Sequence, residues 1–436
     1  GDVITVMPGV YYERINFYGL AITVQGSNPA DMNTVYATII DAYGGGTAVT
    51  FDSGEGKESI LDGVSLKNGD NGIYCYYSAP IIRNCSISGN TAKGIYGNNS
   101  TCDILNCRIA ENSGATGIYD CDGDIVDCAI VENSTGMDKC DGAILDCVVS
   151  DNSSYGLTSC TANIDNCVIN NNNSYGLYNC NSEINNCHIL NNGGDGVRIY
   201  NLNGNLSVTN CVVSGNNGNG IHSQFNTEEV IVANCTIIGN SGSGIYLGHY
   251  DRVSILIRNT IIVLNKAYGV EFDDYNTTTN GDIGLKYNNI WGNKVGNYKT
   301  VEPGATDIHS NPRFVVDGYW DNGDSWVEGN YYLKSIAGHW TETIWVNDDI
   351  TSPCIDAGDP TSGVFNEPTP NGGKINLGAY GGTAKASKSP WGPEPYCTKY
   401  PKSDINNDCK VNLEDFMILA SEWLECNLEP VSACAE

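Results

Sequence analysis

Positive charge is scarce in this sequence: 22 lysines and arginines stand against 51 aspartates and glutamates across 436 residues, a net charge of −29. A field of that sign repels nucleic acid and anionic membrane surfaces and attracts divalent cations, so a nucleic-acid function is excluded. Long apolar runs are missing too. None approaches the ~18 residues of a membrane-spanning helix, which excludes a helical span. Charged residues make up only 17% against 41% hydrophobic, so the chain is neither a disordered polymer nor a highly charged helical rod. No leader precedes the opening "GDVITVMPGVYYE", which is already strand-like and reads as a processed or truncated start.

Cysteine, by contrast, is abundant. The 19 cysteines would be unusual in a reduced cytosolic protein of this size. With an acidic, Asn-rich, Lys-poor composition they favour an extracellular or cell-surface protein in which many thiols need not be bridged.

Those cysteines keep a clock. The pairs Asn84-Cys85, Asn106-Cys107, Asp127-Cys128, Asp146-Cys147, Asn166-Cys167, Asn186-Cys187, Asn210-Cys211 and Asn234-Cys235 recur at spacings of 19 to 24. Ile or Val stands three residues before each cysteine and two after it; five after comes Asn90, Asn112, Asn133, Asn152, Asn172, Asn192, Asn216 and Asn240. Each period then carries Gly plus an apolar residue, as in Gly156-Leu157 and Gly176-Leu177. Alternating apolar positions in such short runs predict short strands with one face inward. Roughly twenty residues per period leave no room for a crossover helix, whereas strands stacked ~4.8 Å apart bury a continuous apolar column. Asn tolerates the left-handed conformation of a sharp bend, and stacked asparagines hydrogen-bond to one another and to the backbone.

This pattern resembles the right-handed parallel β-helix repeats of secreted bacterial proteins, from the start to about residue 300, with Thr260 and Asn289 as degenerate continuations of the cysteine column. The expected fold is therefore all-β: a β-helix over residues 1–300, a C-terminal capping module over 301–384, a Pro-rich linker over 385–396 and a small tail over 397–436. Family members usually carry an amphipathic cap upstream of the opening coil. A bare coil end would template parallel pairing, so copies of the chain stacking head to tail are one expected partner.

The cysteine column reads as small inward hydrophobes packed on their copies, in preference to a metal or redox ladder. A second series, Cys102, Cys121, Cys140, Cys160 and Cys180, falls within disulfide reach of its neighbours and is left open. The residue after each inward apolar side chain points outward. Tyr74, Tyr96, Tyr119 and Tyr178 in that series are candidate glycan-binding residues, since rings at ~4.8 Å steps form a platform for sugar stacking. Arg198, His222, Tyr246 and Glu271 continue it on four successive coils and are weak catalytic candidates: a cation beside a base suits polysaccharide β-elimination. A solvated polar face is the blander alternative. The Asn-Thr-Asp, Asp-Asp and Gly-His-Gly set of polygalacturonases is absent, as is the Arg-x-Pro-x-x-Arg of pectate lyases. Asp120, Asp122, Asp124, Asp127, Asp138, Asp141 and Asp146 crowd one region, where calcium and a hydrated turn compete.

From residue 300 the clock stops and tryptophans become frequent. The segments "NPRFVVDGYW" and "SPCIDAGDP" with "INLGAYGG" resemble the closing module of secreted β-helix proteins that bear varied surface-anchoring tails. The tail "DINNDCKVNLEDFMILASEWL" places Asp404, Asn406, Asp408, Lys410 (through its carbonyl), Asn412 and Asp415 at calcium-loop positions 1, 3, 5, 7, 9 and 12, before a helix with an apolar stripe of Phe416, Leu419, Ala420, Trp423 and Leu424. It resembles half of a type I dockerin of planctomycete extracellular proteins, which implies a calcium cofactor and a cell-surface or cohesin-like partner. Cys409 stands where that loop usually has Gly. The leading expectation is a binding or structural protein, in glycan recognition or extracellular filament assembly; the alternative is a polysaccharide lyase or glycoside hydrolase.

Overall fold

Three left-handed corners turn each coil from Ile60 to Tyr178. In the coil that begins at Ile164 they are Asn166, Asn171 and Asn179, at φ of 54°, 55° and 53°. Short strands fill the sides between them: Ile164–Asp165, Val168–Asn170 and Leu177–Tyr178. In this computed structural model every residue is described except 113, 115, 182, 201–204, 225–228, 249–253, 274–282, 392–410, 412 and 422–436. Stacked coils form three parallel sheets of 13 strands each, with every strand paired to the equivalent strand of the next coil. They are called here sheets 1, 2 and 3, in the order in which the chain visits them. The repeat is a parallel β-helix, as the periodicity predicts.

Inside, Ile164, Cys167, Ile169, Leu177 and Cys180 are all buried in a core shared by every coil. The cysteine column is a packing column. The Cys147 N–H points at the Cys167 sulfur (3.4 Å) and the Cys167 thiol at the Ile144 carbonyl (3.5 Å). Its eight thiols, Cys85 to Cys235, are unbridged. In the second series Cys102 and Cys121 form a disulfide, while Cys140, Cys160 and Cys180 stay free. The cysteine column continues through Thr260 and Asn288, not Asn289: the Thr260 N–H meets Asn288 Oδ1 (3.1 Å), and Asn289 pairs with Ile261 in the next strand.

The two asparagine series do different work. Asparagines preceding the cysteines take the left-handed corners, whereas those five after it point inward and form a buried ladder. Asn172 Oδ1 accepts from Asn152 Nδ2 (2.8 Å) and the Asn152 N–H (3.3 Å), and Asn172 Nδ2 donates to Asn192 Oδ1 (3.0 Å) and the Val149 carbonyl (3.1 Å). The amide group is thus fully satisfied away from water. The glycine opening each strand of sheet 3 lies against this ladder. A Cβ on Gly156 would lie 2.5 Å from the Gly176 carbonyl and 2.9 Å from Asn172 Nδ2. Gly156→Ala is therefore expected to cost about 1–3 kcal/mol through forced backbone shifts, read as a lower urea midpoint.

The segment expected to cap the end does more along the flank than at the tip. Residues 306–309 lie on the last coil, where Asp307 Oδ1 accepts from the Asn288 N–H and Nδ2 (both 3.0 Å). The rest runs back over sheet 2 and covers Val212, Ile238, Ile261 and Val263 with Phe314, Trp326, Tyr331, Leu333, Ile355 and Leu377. Trp326 sits so close to Gly239 (φ 64°) that a Cβ there would lie 2.2 Å from its ring. Corner asparagines tie the flank down: Asn210 Nδ2 donates to the Ala379 carbonyl (3.0 Å) and the Asp359 N–H donates to Asn259 Oδ1 (2.8 Å).

Of the tail, a helix over Leu413–Ser421 is described. It buries Asp415 and exposes Phe416 and Leu419, so those two apolar side chains of the stripe face outward. Asp404, Asn406, Asp408, Lys410 and Asn412 lie outside the described residues.

Candidate functional site

The outer face of sheet 3 presents one side chain per coil. From Tyr74 to Glu271 a Gly precedes the inward residue and the one after it faces out, and strand register carries the series on to Lys299. Tyr74, Tyr96, Tyr119, Asp138, Thr158, Tyr178, Arg198, His222, Tyr246, Glu271 and Lys299 are consecutive cross-strand partners. All eight outward candidates of the sequence therefore share one face, in two groups with Asp138 and Thr158 between Tyr119 and Tyr178.

The first group is a column of rings. Tyr74 and Tyr96 lie 5.3 Å apart, and Tyr96 and Tyr119 5.5 Å. Lys93 lies over Tyr96 (4.9 Å) and Tyr119 (4.6 Å), and Lys139 donates to the Tyr119 hydroxyl at 3.1 Å. Cations on ring faces bring positive charge to this face of an otherwise acidic chain. Next to it burial raises the Asp138 carboxyl above its ordinary value, against the pull of Lys139 and Lys93.

In the second group Tyr178 stacks with two rings that the sequence reading passed over, Tyr155 (5.3 Å, 16°) and Tyr175 (5.5 Å, 19°). Both stand just before the opening glycine, in the repeated "SYG" at 154–156 and 174–176, and that repetition was the available signal. One coil on, the same position holds Asp195. It too was missed, because a single carboxylate in a Gly-rich bend looks like turn chemistry.

Asp195 organises the cluster. It is 4% exposed, and its Oδ2 lies 3.0 Å from Arg198 Nη1 and 3.1 Å from His222 Nδ1. Its Oδ1 accepts from the Asn219 N–H (2.6 Å) and side chain (3.0 Å). Burial pushes its carboxyl up, but the bonds from His222, Asn219 and Arg198 outweigh that and hold it below the usual carboxylate range. An ionised Asp195 makes His222 Nδ1 the donor toward it. Nε2 is buried and has no hydrogen-bond partner among the described residues, and the whole residue is only 8% exposed. Arg198 also lies over the Tyr175 ring at 5.2 Å, which joins the cluster to the aromatic stack.

Tyr246 packs on His222 with ring centroids 4.6 Å apart, and its hydroxyl donates to Asp273 Oδ2 at 2.8 Å. Burial and then the bond to Asp273 push that hydroxyl well up, so it stays protonated. Glu271 is not part of this group. Ser243 (2.5 Å) and Lys299 (2.7 Å) hold its carboxylate on the far side. The assembled parts are a base on a fixed imidazole, a proton-holding phenol and a guanidinium, a set suited to moving a proton at a carbon next to a carboxylate.

Among the described residues no group of three or more His, Cys, Asp or Glu is placed to hold a metal ion. In the acidic turn expected to compete for calcium, burial first and then Asp141 and Asp120 raise the Asp122 carboxyl. No helix among the described residues is long and apolar enough to cross a membrane.

Among solved structures the chain is similar to the A-module of mannuronan C-5 epimerase AlgE4 from Azotobacter vinelandii, at 14% identity over 71% of this chain and 91% of that one, TM-score 0.46. It is also similar to pectate lyase Pel9A (17%, 86% and 87%, TM-score 0.39) and to the periplasmic alginate epimerase AlgG (16%, 69% and 77%, TM-score 0.39). No curated protein matches. The family described as right handed beta helix region matches over residues 20–178 and 158–311, with the coils stacked as above. The chain belongs to the right handed beta helix region family.

Proposed function

We propose that this protein binds an extracellular acidic polysaccharide along the outer face of sheet 3 and abstracts the proton at C5 of a uronate unit there. The observation that carries the proposal is His222, held at Nδ1 by Asp195 with Arg198 beside that nitrogen (3.2 Å), its ring packed on Tyr246 and its Nε2 buried with no partner among the described residues. When substrate binding uncovers Nε2, His222 takes the C5 proton and the C–H electron pair passes into the uronate carboxylate, whose growing charge Arg198 offsets. Return of a proton from the Tyr246 side gives the epimer; protonation of the C4 oxygen with loss of that bond gives an unsaturated end. The tyrosine columns on either side supply sugar-stacking surface. Hydrolysis is disfavoured because Glu271 and Asp273 are both engaged by neighbours.

Location outside the cell and a calcium-holding tail at Asp404, Asn406, Asp408, Lys410, Asn412 and Asp415 belong to the same proposal, the tail serving attachment. The deciding experiment incubates the full chain with polymannuronate and polygalacturonate in heavy water and follows C5 deuteration and unsaturated ends by NMR. Turnover that disappears in His222→Gln is expected. Failure of both glycans to exchange or cleave, or full activity in His222→Gln, would overturn the proposal.

A further inference from the structure

Away from sheet 3, the flank module contains a second group of buried charge. Asp356 takes a hydrogen bond from Ser389 Oγ on its Oδ2 (2.6 Å), while its Oδ1 is buried and has no partner. Glu367 is 6% exposed. Its Oε1 accepts from the backbone N–H groups of Asn376 and Gly382 (both 2.8 Å), and its Oε2 is buried without a partner. Asn376 connects the two, since its Oδ1 accepts from the Asp356 N–H at 2.9 Å. Neither carboxylate forms an ion pair among the described residues. Gly372 packs directly against the Asp356 carboxylate at φ 61°, where a Cβ would lie 2.1 Å from Oδ2 and 2.4 Å from Oδ1.

We propose that this module holds one hard divalent cation, calcium, between Asp356 Oδ1 and Glu367 Oε2. A buried carboxylate oxygen with nothing to accept is costly, and two of them in one small module call for a shared partner. A proton on either group answers one oxygen, and no hydrogen bond joins the two carboxylates. A cation answers both, with water and backbone carbonyls completing an all-oxygen shell. The electrostatics agree: burial pushes the Glu367 carboxyl up to about 7, the charge of Asp356 adds to it, and burial raises Asp356 as well. Bound calcium would fasten the loop carrying Glu367 to the turn carrying Asp356, beside Ile355 of the cover on sheet 2, and so hold the flank in place.

The test uses the full chain carrying Asp404→Ala and Asp408→Ala, so that the tail's own loop does not contribute. Calorimetric titration with calcium chloride is expected to show one saturable site, with magnesium chloride binding more weakly, and the thermal midpoint is expected to rise with calcium. Glu367→Gln is expected to weaken calcium binding by about tenfold or more. It keeps the acceptor for Asn376 and Gly382 and removes an unpaired buried charge, so its calcium-free midpoint should not fall. If that variant fails to fold, Asp356→Asn gives the same readout from the other side. Absence of calcium uptake at millimolar concentration in the tail-disabled chain, or unchanged affinity in both Glu367→Gln and Asp356→Asn, would overturn the proposal.

Discussion

Asp195→Asn is expected to lower turnover on a uronate polymer by about 10²–10⁴-fold while leaving the coil folded. Asparagine keeps the size of the side chain and an oxygen for Asn219, but it removes the charge that makes His222 Nδ1 the donor. The imidazole then has no reason to keep its lone pair on Nε2, and Arg198 loses the partner that aims it. The measurement is kcat and KM on the polymer, compared with Tyr178→Ala. Loss of Tyr178 removes stacking surface, so it should raise KM more than it lowers kcat. Equal effects of the two substitutions on KM, with kcat unchanged, would mean that the Asp195 cluster binds sugar and does no chemistry. Asp195 also carries a pH signature. Its folded pKa is depressed, so its contribution to stability is complete above the ordinary aspartate range of about 4 and is lost as pH falls through the lower folded value.

Asn172→Ala is expected to cost about 3–5 kcal/mol. The Asn152 N–H, one Asn152 Nδ2–H and the Val149 carbonyl all lose their partner inside a dry core. Only the bond from the backbone N–H of residue 172 to Asn192 survives. The neighbouring Asn173→Ala serves as control. That residue is exposed, and its one side-chain bond, to the Ser153 carbonyl, is 3.5 Å long. Urea unfolding followed by circular dichroism separates the two: a midpoint for Asn172→Ala matching the control would mean that the ladder contributes nothing. Coils contact mainly their neighbours, so the loss at one rung is expected to broaden the transition as well as shift it.

The repeat was legible because each of its signals is local. A Cys flanked by Ile at −3 and +2 points inward whatever lies elsewhere, and period-two alternation leaves Tyr178 on the opposite face from Leu177. Asn288 was misplaced by one residue because the last coils are longer, and there the register is set by strand pairing. The flank was missed for a different reason. Val212–Ser214, Thr236–Ile238 and Ile261–Val263 are buried at every position, and their doubly apolar pattern marked a face that something must cover. Nothing in the local sequence names Trp326 and Leu377 as the cover, because those contacts join residues far apart in the chain.

By itself, then, the sequence determined a parallel β-helix of about twenty residues per coil, its inward cysteines and asparagines, and the identity of the outward column on sheet 3. Only the tertiary structure decided that Asp195, Arg198 and His222 meet around one carboxylate, that Glu271 turns away to Lys299, and that residues 310–389 clasp the flank. Periodicity is carried by each residue's own preference for inside or outside and repeats with every coil. Convergence of side chains from different coils depends on rotamers and register summed over the stack, and no single stretch of chain encodes it.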